Sequence, residues 1–371
     1  MNDLHGIIFA YESDPRLREL TQHRNTSSIP YGGRYRAIDF MLSNMVNAGV
    51  TDVGLIVHAS YQSMLDHIGS GKDWDLSRKH GGLRILPPFG YADRKNQVTY
   101  GGRMDALAGV YSYLQKIRQD YVVLAGGDMA INLPLDDVFE AHLKSGADIT
   151  AVCTYKPKGD PRGCIYFSVG ANGLVSDVSV RPQTALGCES LDVFILSKSL
   201  LMSLVDHCTA HNILGFGEGV LQAMCPTLKI VPYVFDGFVA RFQSVAGYYE
   251  RSMELLDPAI RADLFDPRRP IRTKDQSNPS TYYGENAKST NSLVADGCFI
   301  EGEVENSILF RGVHVKKGAR VSNCILMQST VVKEDVILKY AITDKNVTIE
   351  PGRMLMGHVN YPIAVEKNAV V

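Results

Sequence analysis

Over the first two-thirds of the chain, short apolar runs alternate with longer stretches whose apolar positions fall at helical spacing. Gly6–Ala10 (GIIFA), Val53–Val57 (VGLIV) and Tyr121–Ala125 (YVVLA) lack polar alternation, which predicts strands buried on both faces, as in a parallel sheet. Between the first two, Phe40–Gly49 has apolar residues at helical spacing and stops at Gly49, so these segments predict a right-handed βαβ unit. The alternation continues through Ile149–Val152, Leu191–Leu196 and Leu228–Tyr233. Residues 1–265 are therefore expected to form one α/β domain, Rossmann-like with a mostly parallel sheet, whose site lies at the carboxyl ends of the strands. The polar stretch with Pro267, Pro270 and Pro279 that follows predicts a linker, assigned to residues 266–290.

Beyond Leu293 helical periodicity ends and a repeat begins. Val304–Leu309 (VENSIL), Val321–Leu326 (VSNCIL) and Leu338–Thr343 (LKYAIT) recur about every 17 residues, close to three hexapeptides, which predicts coils of a parallel β-helix over residues 291–371. Gly312, Gly318 and Gly352 fall at the expected corners, and each coil can bury its aliphatic row only against its neighbours. A β-sandwich would want hairpin turns such as Asn-Gly, and this region has none.

Composition narrows the function. The chain is long enough for two substantial cores, and 38 Lys+Arg against 40 Asp+Glu leave a formal net charge of -2. No overall field draws nucleic acid or an anionic membrane, so any anion site must be local. No apolar run is long enough to span a bilayer, and Met1–His5 lacks the layout of a signal peptide, so a cytoplasmic location is expected. The seven cysteines are odd in number and never form C-x-x-C, which argues against a disulfide framework and a zinc site. His58, His67 and His80 show no ligand spacing, and no metal is expected in this chain.

Ile29–Asn44 (IPYGGRYRAIDFMLSN) resembles the P-F-G-G-K-Y-R-I-I-D-F-x-L-S-N segment of bacterial ADP-glucose pyrophosphorylases, the glucose-1-phosphate adenylyltransferases. Further matches follow in order: Ile85–Pro88, Gly102 with Asp105 and Ala106 against G-T-A-D-A, Gly127 and Asp128 against G-D-H, and Tyr248–Leu256 (YYERSMELL) against Y-W-E-A-N-M-D-L-L. The resemblance covers nearly the whole chain. It implies a nucleotidyltransferase domain followed by a left-handed parallel β-helix, and a reaction in which glucose 1-phosphate attacks the α-phosphate of ATP.

The same alignment implies that the chemistry is lost. The family's A-G-G-x-G-x-R-L loop, whose glycines let backbone N–H groups close around a triphosphate, falls on Ala10–Leu17 (AYESDPRL). Tyr11, Glu12 and Asp14 replace the glycines, two of them adding negative charge, Pro15 removes a donor, and only Arg16 survives. A phosphate-facing lysine falls on Thr26. Of two aspartates that hold Mg²⁺, the first is matched by Asp128 and the second falls on Arg241. In the sugar-phosphate region Arg181 could still meet a phosphate, while Glu218 reverses a charge.

What the resemblance implies is thus a degenerate member with vestigial Arg16 and Asp128, a vestigial substrate cleft at Gly102, Asp105 and Arg181, and no cofactor of its own. The pattern resembles regulatory subunits of glycogen synthesis, which pair with a catalytic homologue that uses Mg²⁺, so a heterotetramer is expected. Arg34 and Arg36 lie where the family binds activators, making them candidates for a sugar-phosphate or other anionic effector. Bland roles stand beside these: a helix cap for Asp128, ion pairs for Arg16 and Arg181. Two other classes stay open, an active sugar-nucleotide transferase making ADP-glucose and a β-helix acyltransferase relying on His314.

Overall fold

The computed structural model describes residues 3–11, 14–58, 61–87, 100–156 and 159–371. The N-terminal sheet is built from β1 (Leu4–Ala10), β2 (Asp52–Val57), β3 (Gly82–Leu86), β4 (Tyr121–Gly126), β5 (Ile149–Thr154), β6 (Ile165–Val169), β7 (Val175–Val180), β8 (Cys188–Ser197) and β9 (Ile230–Val234). Its order is β7-β6-β8-β4-β1-β2-β3, with β5 pairing β8 and β9. β3, β2, β1 and β4 run parallel, as their unbroken apolar runs predict. β8 lies antiparallel to β4, β5 and β6, and β6 and β7 form an antiparallel pair. The sheet is therefore parallel-rich with an antiparallel wing.

Helix α1 (Ala37–Asn47) packs Met41, Leu42 and Met45 beneath β1 and β2 and ends where Gly49 takes φ 76, a conformation that costs glycine little. Its Asn44 accepts from Leu133 N at 3.2 Å and donates to the Ile131 carbonyl at 3.0 Å, pinning the helix to the strand that follows Asp128. The seven cysteines are buried and free, and no helix among the described residues is long and apolar enough to cross a membrane.

The C-terminal region is a β-helix of three parallel sheets, each of five short strands. Its repeat is 17 residues, read from the register Glu303, Arg320, Ile337, Met354. The corners need left-handed backbone. Glycine supplies it at Gly312, Gly318 and Gly352, and asparagine, which tolerates that region, at Asn291, Asn306, Asn323 and Asn346. The expected boundary moves: Tyr282–Tyr283 and Lys288–Thr290 already pair with Phe299–Ile300 and Glu303–Glu305, so the first coil begins inside the stretch assigned to a linker. The rest of that stretch is tied down, since Asn132 donates to the carbonyls of Leu264 and Arg269, and Ser43 Oγ accepts from Arg272 N.

One aliphatic face of the β-helix is turned inward. Ile308, Ile325 and Ile342 join Leu17, Tyr31, Tyr248 and Leu255 in one buried cluster, so the two domains share a core.

Candidate functional site

A cleft of about 890 Å³ opens at the carboxyl ends of β1 and β4. Most of the residues singled out from the sequence line it: Tyr11, Asp14, Arg16, Thr26, Gly102, Asp128, Arg181 and Arg241. Asp105 stands one step behind, its Oδ2 accepting from Gly101 N at 2.9 Å. Gly102 is required there by packing, because a Cβ would collide with the Leu214 carbonyl. Glu12 lies outside the described residues.

At the mouth, Tyr11 occupies the start of the degenerate loop, its ring 5.2 Å from that of Tyr100. Asp14, an acid in place of a family glycine, is engaged within the loop itself. Its carboxylate caps the 3₁₀ turn Pro15–Thr21 and takes two contacts from Arg16, Nε at 3.0 Å and Nη2 at 2.6 Å. Arg16 Nη1 also reaches Asp160 at 2.6 Å, and Asp160 in turn binds Arg162. The hydrogen bond from Arg162 first, with the charges of Arg162 and Arg16, holds the Asp160 carboxyl down at about 2. Thr26 Oγ1 is buried with no hydrogen-bond partner among the described residues, so the position where a lysine would face phosphate is neutral.

Deeper in, Asp128 follows β4, and the next strand, Met129–Ile131, pairs antiparallel with Val239–Arg241, setting Arg241 opposite Met129. Arg241 has a side chain only 11% exposed, with Nε 3.1 Å from Glu189 Oε1 and Nη2 donating to the Ser190 carbonyl at 2.6 Å. Burial works against its charge, and Cys164, Glu189, Asp128 and Asp192 more than offset that, so the guanidinium stays protonated. Asp192 is gripped by Arg103, whose Nη1 donates at 2.6 Å and whose guanidinium lies 4.8 Å from the centre of the Phe9 ring. Arg181 and Glu218, both exposed, approach to 3.6 Å, a pair of small energetic weight. Among the described residues, no cluster of three or more His, Cys, Asp or Glu is placed to hold a metal ion. With a guanidinium set among the carboxylates, the donors present do not fit Mg²⁺.

Arg103, Asp192, Glu189 and the Asp160–Arg162 pair were not singled out by sequence reasoning. The available signal was Asp192 interrupting the apolar run Leu191–Leu196, a polar residue where a core strand has no use for one.

Arg34 and Arg36 sit elsewhere, where the domains meet. Arg36 donates through Nη1 to the Ser63 carbonyl at 2.6 Å, and burial lowers it to about 10. Arg34 is half exposed, 3.4 Å from Asp296, which also holds Arg311 at 3.3 Å. With His67 and Lys345 these line one small pocket. Lys345 is brought down to about 7, first by burial and then by the charges of Arg36 and Arg24. Arg311 and Lys345 could not be anticipated, since about 300 residues separate them from Arg34 and Arg36. His314, the β-helix histidine, lies with its ring 4.7 Å from that of Phe299.

Two family models match the chain, the nucleotidyl transferases over residues 5–204 and the GlmU-like C-terminal hexapeptide over residues 279–359. The glycogen biosynthesis protein GlgD of Bacillus subtilis is 34% identical over 371 residues, covering 100% of this chain and 97% of that protein. The glucose-1-phosphate adenylyltransferase of Halalkalibacterium halodurans is 31% identical over 85% of this chain and 83% of its own length. That of Fervidobacterium nodosum is 28% identical over 96% and 87%.

Proposed function

The chain belongs to the nucleotidyl transferase family, in company with the glucose-1-phosphate adenylyltransferases, and from that premise we propose that it is a regulatory subunit of ADP-glucose synthesis in glycogen formation, with little or no activity of its own. One observation carries the reading: the charged groups lining the cleft are engaged with one another. Arg16 is bound to Asp14 and Asp160, Arg103 to Asp192, and Arg241 to Glu189. Nucleotidyl transfer depends on cations aimed at phosphate oxygens, and cations already matched to carboxylates serve it poorly. The scaffold around them is intact, which suits a chain that docks beside a catalytic homologue in a hetero-oligomer, a tetramer by family resemblance, with Mg²⁺ acting in the partner.

The regulatory input we assign to the pocket of Arg34, Arg36, Arg311 and Lys345, where an anion would touch both domains and bias their packing. Such coupling is typically worth about 1–3 kcal/mol. The test is to titrate this chain into a catalytic homologue while following mass and saturation curves for glucose 1-phosphate. A complex with altered apparent affinity or activation is the expected result; no complex, or one with unchanged kinetics, refutes the reading.

Effector response should also depend on pH. Lys345 is held well below the ordinary lysine value, so its ammonium is present below about pH 7 and lost above it. An anion favours the charged form, so binding takes up a proton, and affinity should fall as pH rises through 7 to 8.5, by up to about tenfold per unit. Isothermal titrations in buffers of different ionisation enthalpy measure the proton uptake, and K345Q should abolish it. An affinity flat over that range would exclude Lys345 from the site.

A further inference from the structure

Whether or not the chain regulates a partner, its cleft gathers carboxylates that need a cation. Asp128 and Asp192 arrive from different strands yet converge: a methyl group on Gly126 would lie 2.5 Å from Asp192 Oδ2 and 2.8 Å from Asp128 Oδ1. Asp192 takes left-handed backbone, φ 60, in a strand whose register slips between Ser190 and Phe194. Aspartate tolerates that conformation better than most residues, and the irregular register there turns the carboxylate out of the strand's regular alternation. Glu189, three residues earlier, is buried against Arg241. One or two carboxylates with several waters are what Mg²⁺ or Mn²⁺ commonly binds.

Guanidinium groups are built into this cluster from two separate elements. Arg103, at the start of the helix Arg103–Gly109, takes both oxygens of Asp192. Arg241, at the end of Val239–Arg241, is fixed by Glu189 and the Ser190 carbonyl, with Asp128 and Asp192 within electrostatic reach. We propose that Arg103 and Arg241 act together as tethered counter-cations in place of a divalent metal ion, so that this cleft is ordered without metal and closed to it. Neither guanidinium can be neutralised in the ordinary pH range, and neither can dissociate, so both positive charges stay beside the carboxylates and oppose the entry of a second cation. A ligand entering the cleft would meet fixed N–H donors, whereas a metal ion can enter and leave with a nucleotide. The state of this subunit is then indifferent to free Mg²⁺.

Ion pairs that were merely structural would lose stability on substitution, without gaining a response to metal. The test uses the full chain, with Mn²⁺ as probe, followed by thermal denaturation and by the paramagnetic resonance signal of free Mn²⁺. Wild type is expected to melt at the same temperature in EDTA and in Mn²⁺ and to leave the signal unchanged. R103A/R241A should melt lower in EDTA, recover part of the loss as Mn²⁺ is added, and deplete free Mn²⁺, because binding to the folded state alone stabilises it. Adding D128N should remove that gain, and R103K/R241K, which keeps both charges, should ignore Mn²⁺. The proposal is overturned if wild type binds Mn²⁺ and D128N abolishes that binding. It is equally overturned if R103A/R241A folds but does not respond to Mn²⁺, or stays unfolded at saturating Mn²⁺. None of these outcomes bears on whether a catalytic partner is bound, which the titration above decides separately.

Discussion

Incubated alone with ATP, glucose 1-phosphate and Mg²⁺, the chain is expected to form ADP-glucose at no more than about 10⁻⁴ of the rate of a catalytic homologue, since losing one preorganised group costs roughly 10² to 10³ in rate. Three such elements are altered together. The loop that would close on the triphosphate carries Tyr11 against Tyr100 and an Arg16 bound to Asp14 and Asp160. Where the family resemblance implies a cation facing phosphate, this chain has a buried threonine, Thr26. Where the family resemblance implies a second metal carboxylate, this chain has Arg241, anchored to Glu189. Groups that act as a unit are not additive, so Arg241→Asp by itself is expected to leave the rate where it is. Radiolabelled product formation measures both statements, and robust turnover from either protein would show that the defect lies elsewhere.

The second large effect concerns how the domains are joined. Arg24 Nη2 donates to both oxygens of Asp344 at 2.9 and 2.8 Å, and both side chains are almost completely buried. Removing one member leaves an uncompensated buried charge, so D344A is expected to cost about 3–5 kcal/mol. R24M/D344L, which removes both charges, should recover much of that loss. Urea denaturation followed by the single tryptophan, Trp74, and proteolysis of the segment near Pro279 report the two consequences, lower stability and an exposed connection. A cost under about 1 kcal/mol would mean that the shared apolar core holds the interface without the ion pair. That core also takes up one face of the β-helix, since Ile308, Ile325 and Ile342 are buried inside the chain. A role in assembly would fall to its other faces, where Tyr282, Phe299 and Met354 are exposed.

Local regularities were legible without coordinates. Apolar runs such as Gly6–Ala10 mark strands because burial on both faces leaves no polar alternation, and a stop at Gly49 marks a helix end because glycine takes positive φ at little cost. The 17-residue repeat revealed coils because stacking forces equivalent positions into register. The long match at Ile29–Asn44 identified the family, and the cleft residues it aligned do lie around one cleft.

What a charged residue does there was decided only in three dimensions. For Arg16 the sequence left open a vestigial phosphate contact or an ion pair, and the structure shows it bridging Asp14 and Asp160, the latter 144 positions away. Arg103 finds Asp192 across 89 positions, and Arg34 meets Arg311 and Lys345 in a pocket that exists only because the β-helix folds back on the first domain. Periodicity is a property of neighbours along the chain, and the sequence states it directly. The sign, strength and availability of a charge depend on which partner lies within a few ångströms and how much water remains between them, and tertiary packing alone sets both.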